Sequence, residues 1–250
     1  MTKHSYGRNP DRHDDRDHKY SAPIAHLQAL PPLVDLRGQD SPIEDQGELG
    51  SCTSFASGAA FRFDLRKQGL SDFVISHLFE YYNSRAKSQK HEDSGATIRD
   101  AIKALNTYGA CPESEWPYNI EAFASKPPAR CYTDAKKDRA LTYLRVSQNL
   151  AQMKACLASG FPFVIGISVY ESFESDEVVK TGIVPMPSQD EEFLGGHALL
   201  VVGYQDSTQR FTVRNSWGSG FADKGYVYLP YQYLEDRNLA SDFWVVQTIG

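Results

Sequence analysis

The chain changes hydrophobic period part-way along, and that change limits the folds open to it. Ahead of Gly160, apolar residues recur at helical spacing, as in Phe55, Ala56, Ala59, Ala60, Phe63 and again in Ile98, Ala101, Ile102, Leu105. Beyond Gly160 the apolar runs are nearly continuous and rich in β-branched residues, at Phe161 to Val169 and His197 to Tyr204. These read as buried strands. Arg210 to Asn215, Gly225 to Leu229 and Phe243 to Ile249 follow, separated by turn residues. Helices first and antiparallel strands after predict an α+β protein in two lobes, with a cleft between them as the place for a site.

Finer signals divide the helical part. A run opening at Cys52 is closed by Gly69, Ser76 caps a second helix carrying Leu78, Phe79 and Tyr82, and Ala96 to Tyr108 makes a third that stops at Gly109. From Cys111 to about Tyr132 proline and aromatic residues predict loop, and a short helix is expected from Asn149 to Ala158. Residues 1 to about 19 are polar with nearly balanced charge, so order is not expected there without a partner surface. Their histidines, His4, His13 and His18, have no metal-ligand spacing and read as solvated. Tyr20 to Leu30 differs: Ile24, Leu27 and Leu30 need something to bury against before Pro31-Pro32 ends any helix.

Several classes of function are disfavoured. A net charge of −6 with no basic run argues against nucleic acid. No apolar stretch approaches membrane-spanning length. Four cysteines are too few for a disulfide scaffold, and no Cys-x-x-Cys spacing suggests a metal, so no cofactor is expected. The start of the chain lacks the apolar core of a secretory signal, which leaves a cytoplasmic location or export by a non-classical route.

The chemistry concentrates in three places. In Gln46-Gly47-Glu48-Leu49-Gly50-Ser51-Cys52-Thr53 a thiol stands at a helix N-terminus, where backbone N–H groups and the dipole favour a thiolate. His197 follows Gly195-Gly196 and is expected to project from a strand end, while Asn215 lies at the end of the next strand. An amide beside an imidazole can hold one ring nitrogen and turn the other toward a thiol. Trp217 would shield that hydrogen bond. Taken singly, each has a plainer reading: Cys52 as a small buried hydrophobe, His197 as a satisfied core histidine, Trp217 as a core aromatic.

In their order and spacing these residues resemble the papain family of cysteine peptidases, from about Pro32 to near Leu229. Val34-Asp35-Leu36-Arg37 resembles the mature N-terminus, Gln46-Gly47 with Gly50-Ser51-Cys52 the nucleophile block, Gly196-His197-Ala198 through Tyr204 the histidine strand, and Asn215-Ser216-Trp217-Gly218 the asparagine block. The resemblance implies a papain-like fold with a helical lobe (about 45–140), a barrel-like β lobe (about 141–230) and a C-terminal strand at 243–249. It implies Cys52 as nucleophile, His197 as acid and base, Asn215 as its orienter, and the Gln46 amide with the Cys52 N–H as oxyanion donors. On the substrate side it implies Ser94, Gly95 and Ala96 along the peptide backbone, Gly166 in the pocket for the second acyl-side residue, and Gly196 and Trp217 around the histidine. Leu49, Thr53 and Asn83 depart from the plant and lysosomal pattern and remove its usual half-cystines, and Gly196 replaces a frequent acidic residue. These departures point to a bacterial-type branch. Cys111 and Cys131 flank the proline-rich loop and can pair, while Cys156 reads as buried and inert.

The expected activity is therefore endopeptidase action on peptide or protein substrates through a thioester, by a monomer. Acyl transfer or deamidation with the same residues, and an inactive peptide-binding homologue, are the alternatives; product analysis with added amine and a test of thiol reactivity separate them. Residues 1–30 are expected to act as a short inhibitory prosegment, with Tyr20 to Leu30 against the cleft.

Overall fold

The structure, a computed structural model, describes residues 4–85 and 92–249. In chain order its elements are β1 (Arg8–Asn9), α1 (Ile24–Gln28), β2 (Leu33–Asp35), α2 (Cys52–Lys67), α3 (His77–Ser84), β3 (Ala96–Thr97) and α4 (Ile98–Thr107). There follow α5 (Ala129–Ala135), β4 (Ala140–Arg145), α6 (Leu150–Ala158), β5 (Phe163–Tyr170), α7 (Asp176–Thr181), β6 (Phe193–Gln205), β7 (Arg210–Arg214), β8 (Tyr226–Pro230), α8 (Tyr231–Glu235) and β9 (Ala240–Ile249). Among the described residues one seven-stranded sheet runs β4-β9-β5-β6-β7-β8, with β2 paired to β6. All its paired strands are antiparallel. The α+β class stands.

Helix α2 lies along the junction between the helices and the sheet, packed on β6 and β9 as well as on α3 and α4. A helix covered on all sides is mostly apolar or small, and every residue from Cys52 to Leu65 is buried; its charged Arg62 is paired with Glu44 and Asp72. Gly58 shows why size matters: a Cβ there would stand 2.5 Å from Ile75 Cδ1. The expected caps form, with Ser76 Oγ accepting from Phe79 N (3.2 Å) and Asn149 from Gln152 N (3.2 Å). The third helix begins later than its apolar period suggests, because Thr97 caps it through Asp100 N (3.0 Å) and leaves Ala96–Thr97 as strand β3.

Several expectations change. Within the segment taken as loop, Pro128 opens helix α5, since proline suits a helix start. Strand β6 begins at Phe193, so His197 sits inside a strand rather than at its end. The C-terminal strand β9 is not an appendage: it fills the place between β4 and β5. Cys111 and Cys131 are not bonded; both are free buried thiols, donating to Pro112 O (3.5 Å) and Glu115 O (3.7 Å) respectively, and Cys156 is buried and free as well.

The largest correction concerns the leader. Residues 4–19 run along the body of the fold, with Gly7 buried and Arg8, Asp11 and Asp17 ion-paired, while His13 and His18 are exposed; Met1 to Lys3 lie outside the described residues. Tyr20 to Leu30 does not approach the cleft. Tyr20 N bonds Arg145 O (2.9 Å), its hydroxyl meets Cys156, and α1 packs on α6. The apolar stretch is thus an anchor on the sheet's helical cover, and the polar stretch ahead of it reaches the cleft. Titration of the guanidinium-unfolded, unreduced chain with Ellman's reagent should find four thiols; two would mean that Cys111 and Cys131 are bonded after all.

Candidate active site

The residues singled out by the sequence meet where the start of α2 faces β6 and the end of β7. Cys52 is fully buried at the first position of α2. Burial pushes its thiol up, while backbone N–H groups of Ala198, Gly7 and Thr53 and the charge of Arg8 favour the thiolate. His197 is also fully buried, and its Nε2 lies 2.8 Å from Asn215 Oδ1. Asn215 Oδ1 accepts as well from Ser216 N (2.8 Å), which fixes the amide's orientation, so Nε2 carries the proton and donates. His197 Nδ1 has no hydrogen-bond partner among the described residues. Burial brings the imidazole down to about 4, against the Asn215 hydrogen bond, and His4 lowers it further. Trp217 lies over the ring, centroids 5.0 Å apart.

Gln46 is held from three sides. Its Oε1 accepts from Ser216 Oγ (2.6 Å), its backbone N donates to Ser216 O (2.9 Å), and its Nε2 donates to Leu49 O (2.9 Å). Tyr118 Oη donates to Gln46 O (2.8 Å) and accepts from Ser51 Oγ (2.7 Å), so the Trp116-Pro117-Tyr118 segment props up both ends of the Gln46-to-Cys52 segment. Beneath lies a charged cluster that the sequence analysis missed. Glu44 stands 3.1 Å from Arg62, 3.3 Å from His77 and 3.7 Å from Arg214, the residue before Asn215. Burial opposes its charge, but His77, Arg62 and Arg214 together hold the carboxyl down at about 2. These partners are scattered along the chain; only the fold brings them together.

The cleft holds the chain's own residues 4–9. His4 stacks on Trp217 (3.8 Å, interplanar angle 4°), and Tyr6 sets its edge on His197 and its hydroxyl on Glu174. Gln46 Nε2 donates to Ser5 O at 3.1 Å. Gly7 passes over Gly50 and Gly95, and Ala96 N donates to Gly7 O at 2.8 Å. Strand β1 pairs parallel to β3, and Asn9 Nδ2 reaches Ser94 O at 2.8 Å. Arg8 lies over Gly166 and Gly196. Ser94, Gly95, Ala96, Gly166, Gly196 and Trp217 therefore all line the track of the leader, and Cys111 and Cys131 lie elsewhere, under α3 and α5. Gly7 was the missed signal: in a polar leader it is the one residue whose backbone can come so close, since a Cβ there would fall 1.7 Å from Gly50 O.

Residues 30–244 match the model of the papain family cysteine protease. The chain belongs to the papain family. Its fold superposes on the crystal structure of xylellain, a cysteine protease from Xylella fastidiosa, with a TM-score of 0.92 and 40% identity over 98% of this chain and 96% of that one. A peptidase C1-like protein of Acanthamoeba polyphaga mimivirus is 43% identical over 215 residues, 82% of this chain and 69% of that protein. Cysteine proteinase 2 of Entamoeba histolytica is 30% identical over 214 residues, 81% of this chain and 64% of that protein. The chain thus spans about two thirds of these curated relatives.

Glu44 gives a stability test with a definite sign. Its folded value, about 2, is below the ordinary 4.5, so its contribution is complete above pH 4.5 and is lost as pH falls toward 2. Glu44→Gln should lower the unfolding free energy near pH 7 by about 3 kcal/mol, since it breaks a largely buried charge cluster. The gap from wild type should close on acidification through that window. A gap that is absent, or the same at every pH, would contradict the assignment.

Proposed function

We propose that the protein is a cysteine endopeptidase whose leader, residues 4–9, closes the cleft until it is displaced. The observation that carries this reading is the convergence of Cys52, His197, Asn215 and Gln46 at the point where the leader crosses. Cys52 serves as nucleophile, with His197 removing its proton and Asn215 holding the ring. Thiolate attack on a peptide carbonyl gives a tetrahedral oxyanion. Gln46 Nε2, which meets Ser5 O in the closed form, and the Cys52 N–H at the start of α2 receive that charge. Collapse releases the amine, protonated by His197, and leaves a thioester. Water, deprotonated by the same imidazole, hydrolyses it.

The leader supports the endopeptidase reading. It enters beside Trp217 and leaves past β3 toward Arg99 and Arg145, so the cleft accepts a continuous chain. Its C-terminal end lies on the Gly166 side, where a substrate's N-terminal part would bind. That reversed direction keeps its own peptide bonds out of register for attack. The leader is held beyond the cleft as well: Asp11 meets Arg145 (2.9 Å) and Trp244 Nε1 (2.8 Å), and Asp17 meets Arg99 (2.6 Å) and Arg145 (3.0 Å). Tethering to the catalytic chain keeps its local concentration high.

Two variants of the intact chain test this. Cys52→Ala should abolish hydrolysis of a fluorogenic dipeptide amide. Gly7→Val, which forces the leader off Gly50 and Gly95 and leaves the proposed catalytic residues unsubstituted, should raise that hydrolysis tenfold or more. Equal or lower rates for Gly7→Val would remove the leader from the account, and activity in Cys52→Ala would remove the nucleophile.

A further inference from the structure

Beside the thiol, on the β3 side of the cleft, the leader fills a recess with the side chain of Arg8. Gly166 and Gly196 form its floor: a Cβ at Gly166 would stand 2.3 Å from Arg8 Nε, and one at Gly196 would stand 3.3 Å from Arg8 Cδ. The guanidinium ends on Ser241 Oγ and the carboxylate of Asp242, and the Arg8 and Asp242 side chains are each only 7% exposed. The recess thus runs over two glycines and ends at a hydroxyl and a buried carboxylate.

The backbone is shaped to present that carboxylate. Val164 faces Trp244 while Gly166 faces Ser241, so β9 carries one residue more than β5 across this stretch. A bulge of this kind re-aims a side chain. Asp242 sits in it at φ +59°, a left-handed conformation that non-glycine residues seldom adopt. Its remaining polar neighbours are Asp11 N at 3.0 Å, Ser241 Oγ at 3.2 Å and Arg145 at 3.5 Å. Asp11 departs with the leader. Arg145 lies over the Trp244 ring, 4.4 Å from its centroid, and its side chain is 26% exposed, so it marks the rim rather than the interior.

We infer that this recess is a specificity pocket for a basic side chain, charged by Asp242, which selects peptides with arginine one residue ahead of the residue at the attacked bond. The position follows from Gly7, whose backbone lies at the Cys52 sulfur, so its neighbour Arg8 occupies the next place along β3. The inference rests on the peptidase reading above. An arginine entering the pocket restores the pairing that Arg8 gives; a leucine leaves a buried carboxylate short of a partner, and sites built around such a polar group reject ligands that lack the match. Here the leader competes as an imitation of the preferred substrate side chain.

The test uses the full chain carrying Gly7→Val and Arg8→Ala, so that the leader neither lies in the cleft nor fills the recess. The kcat/KM values for benzyloxycarbonyl-Arg-Arg and benzyloxycarbonyl-Leu-Arg aminomethylcoumarin are compared with and without Asp242→Asn, a change that tolerates the left-handed backbone. The Arg-Arg substrate should be preferred by about tenfold or more, and Asp242→Asn should bring the ratio near one. A ratio near one before the change, or a preference that survives it, overturns the pocket while leaving the peptidase reading intact. Hydrolysis of neither substrate overturns the peptidase reading. The pocket is then decided by protection of Cys52 from iodoacetamide: the Arg-Arg compound should protect at about tenfold lower concentration than Leu-Arg only when Asp242 is present, and equal protection refutes it.

Discussion

The structure depends on a seam where the segment just ahead of Cys52 crosses the end of β7. Gln46 N donates to Ser216 O, Gly218 N to Glu44 O (3.2 Å), and Asp45 bridges to Trp217. Below it, Glu44 ties α2 through Arg62, α3 through His77 and β7 through Arg214. The seam sets the Gln46 amide, which comes from the segment before α2, against the His197 imidazole and the Asn215 amide, which come from the sheet. Buried charges packed this way are costly when partly satisfied and rigid when fully satisfied. A site assembled from distant segments needs that rigidity, because small displacements are expensive in catalysis.

Contact between backbones governs the closed state. Gly7, Gly50 and Gly95 meet with no side chain between them, so the leader lies at the thiol itself. With the leader in place Cys52 and His197 are both fully buried, and burial pushes the thiol up and the imidazole down, while the Gly7 N–H and the Arg8 charge favour the thiolate. The restraint proposed for the leader rests on its occupying the site at the thiol. Its hold draws on stacking at Trp217, pairing with β3, the Arg8–Asp242 ion pair and the acidic residues beyond, so no single contact carries it.

Much of this was legible in the amino-acid order. Cys52 at a helix start, His197 in an apolar run and Asn215 at the next strand's end carry local patterns, and the two hydrophobic periods gave the α+β class. What escaped is non-local. Glu44 looks like any surface acid until folding sets it between Arg62, His77 and Arg214. Asp242 looks like a turn residue, and only the pairing of β9 between β4 and β5 shows that it closes a recess. In the leader, apolar content does not mark the segment that enters the cleft. Tyr20 to Leu30 has that content and anchors on α6, whereas the cleft takes the polar residues, whose affinity comes from backbone pairing, ring stacking and a matched charge. Helix α5 was hidden by its prolines, which start it rather than break it.

The most direct test of the closed site is the pH dependence of Cys52 alkylation by iodoacetamide in the intact chain. A buried thiol beside an imidazole held near 4 should react slowly through neutral pH, accelerate only in the alkaline range, and show no step from a thiolate–imidazolium pair. Fast labelling on a plateau below pH 7 would contradict the account, because it would mean that the ion pair already stands open to solvent with the leader in place.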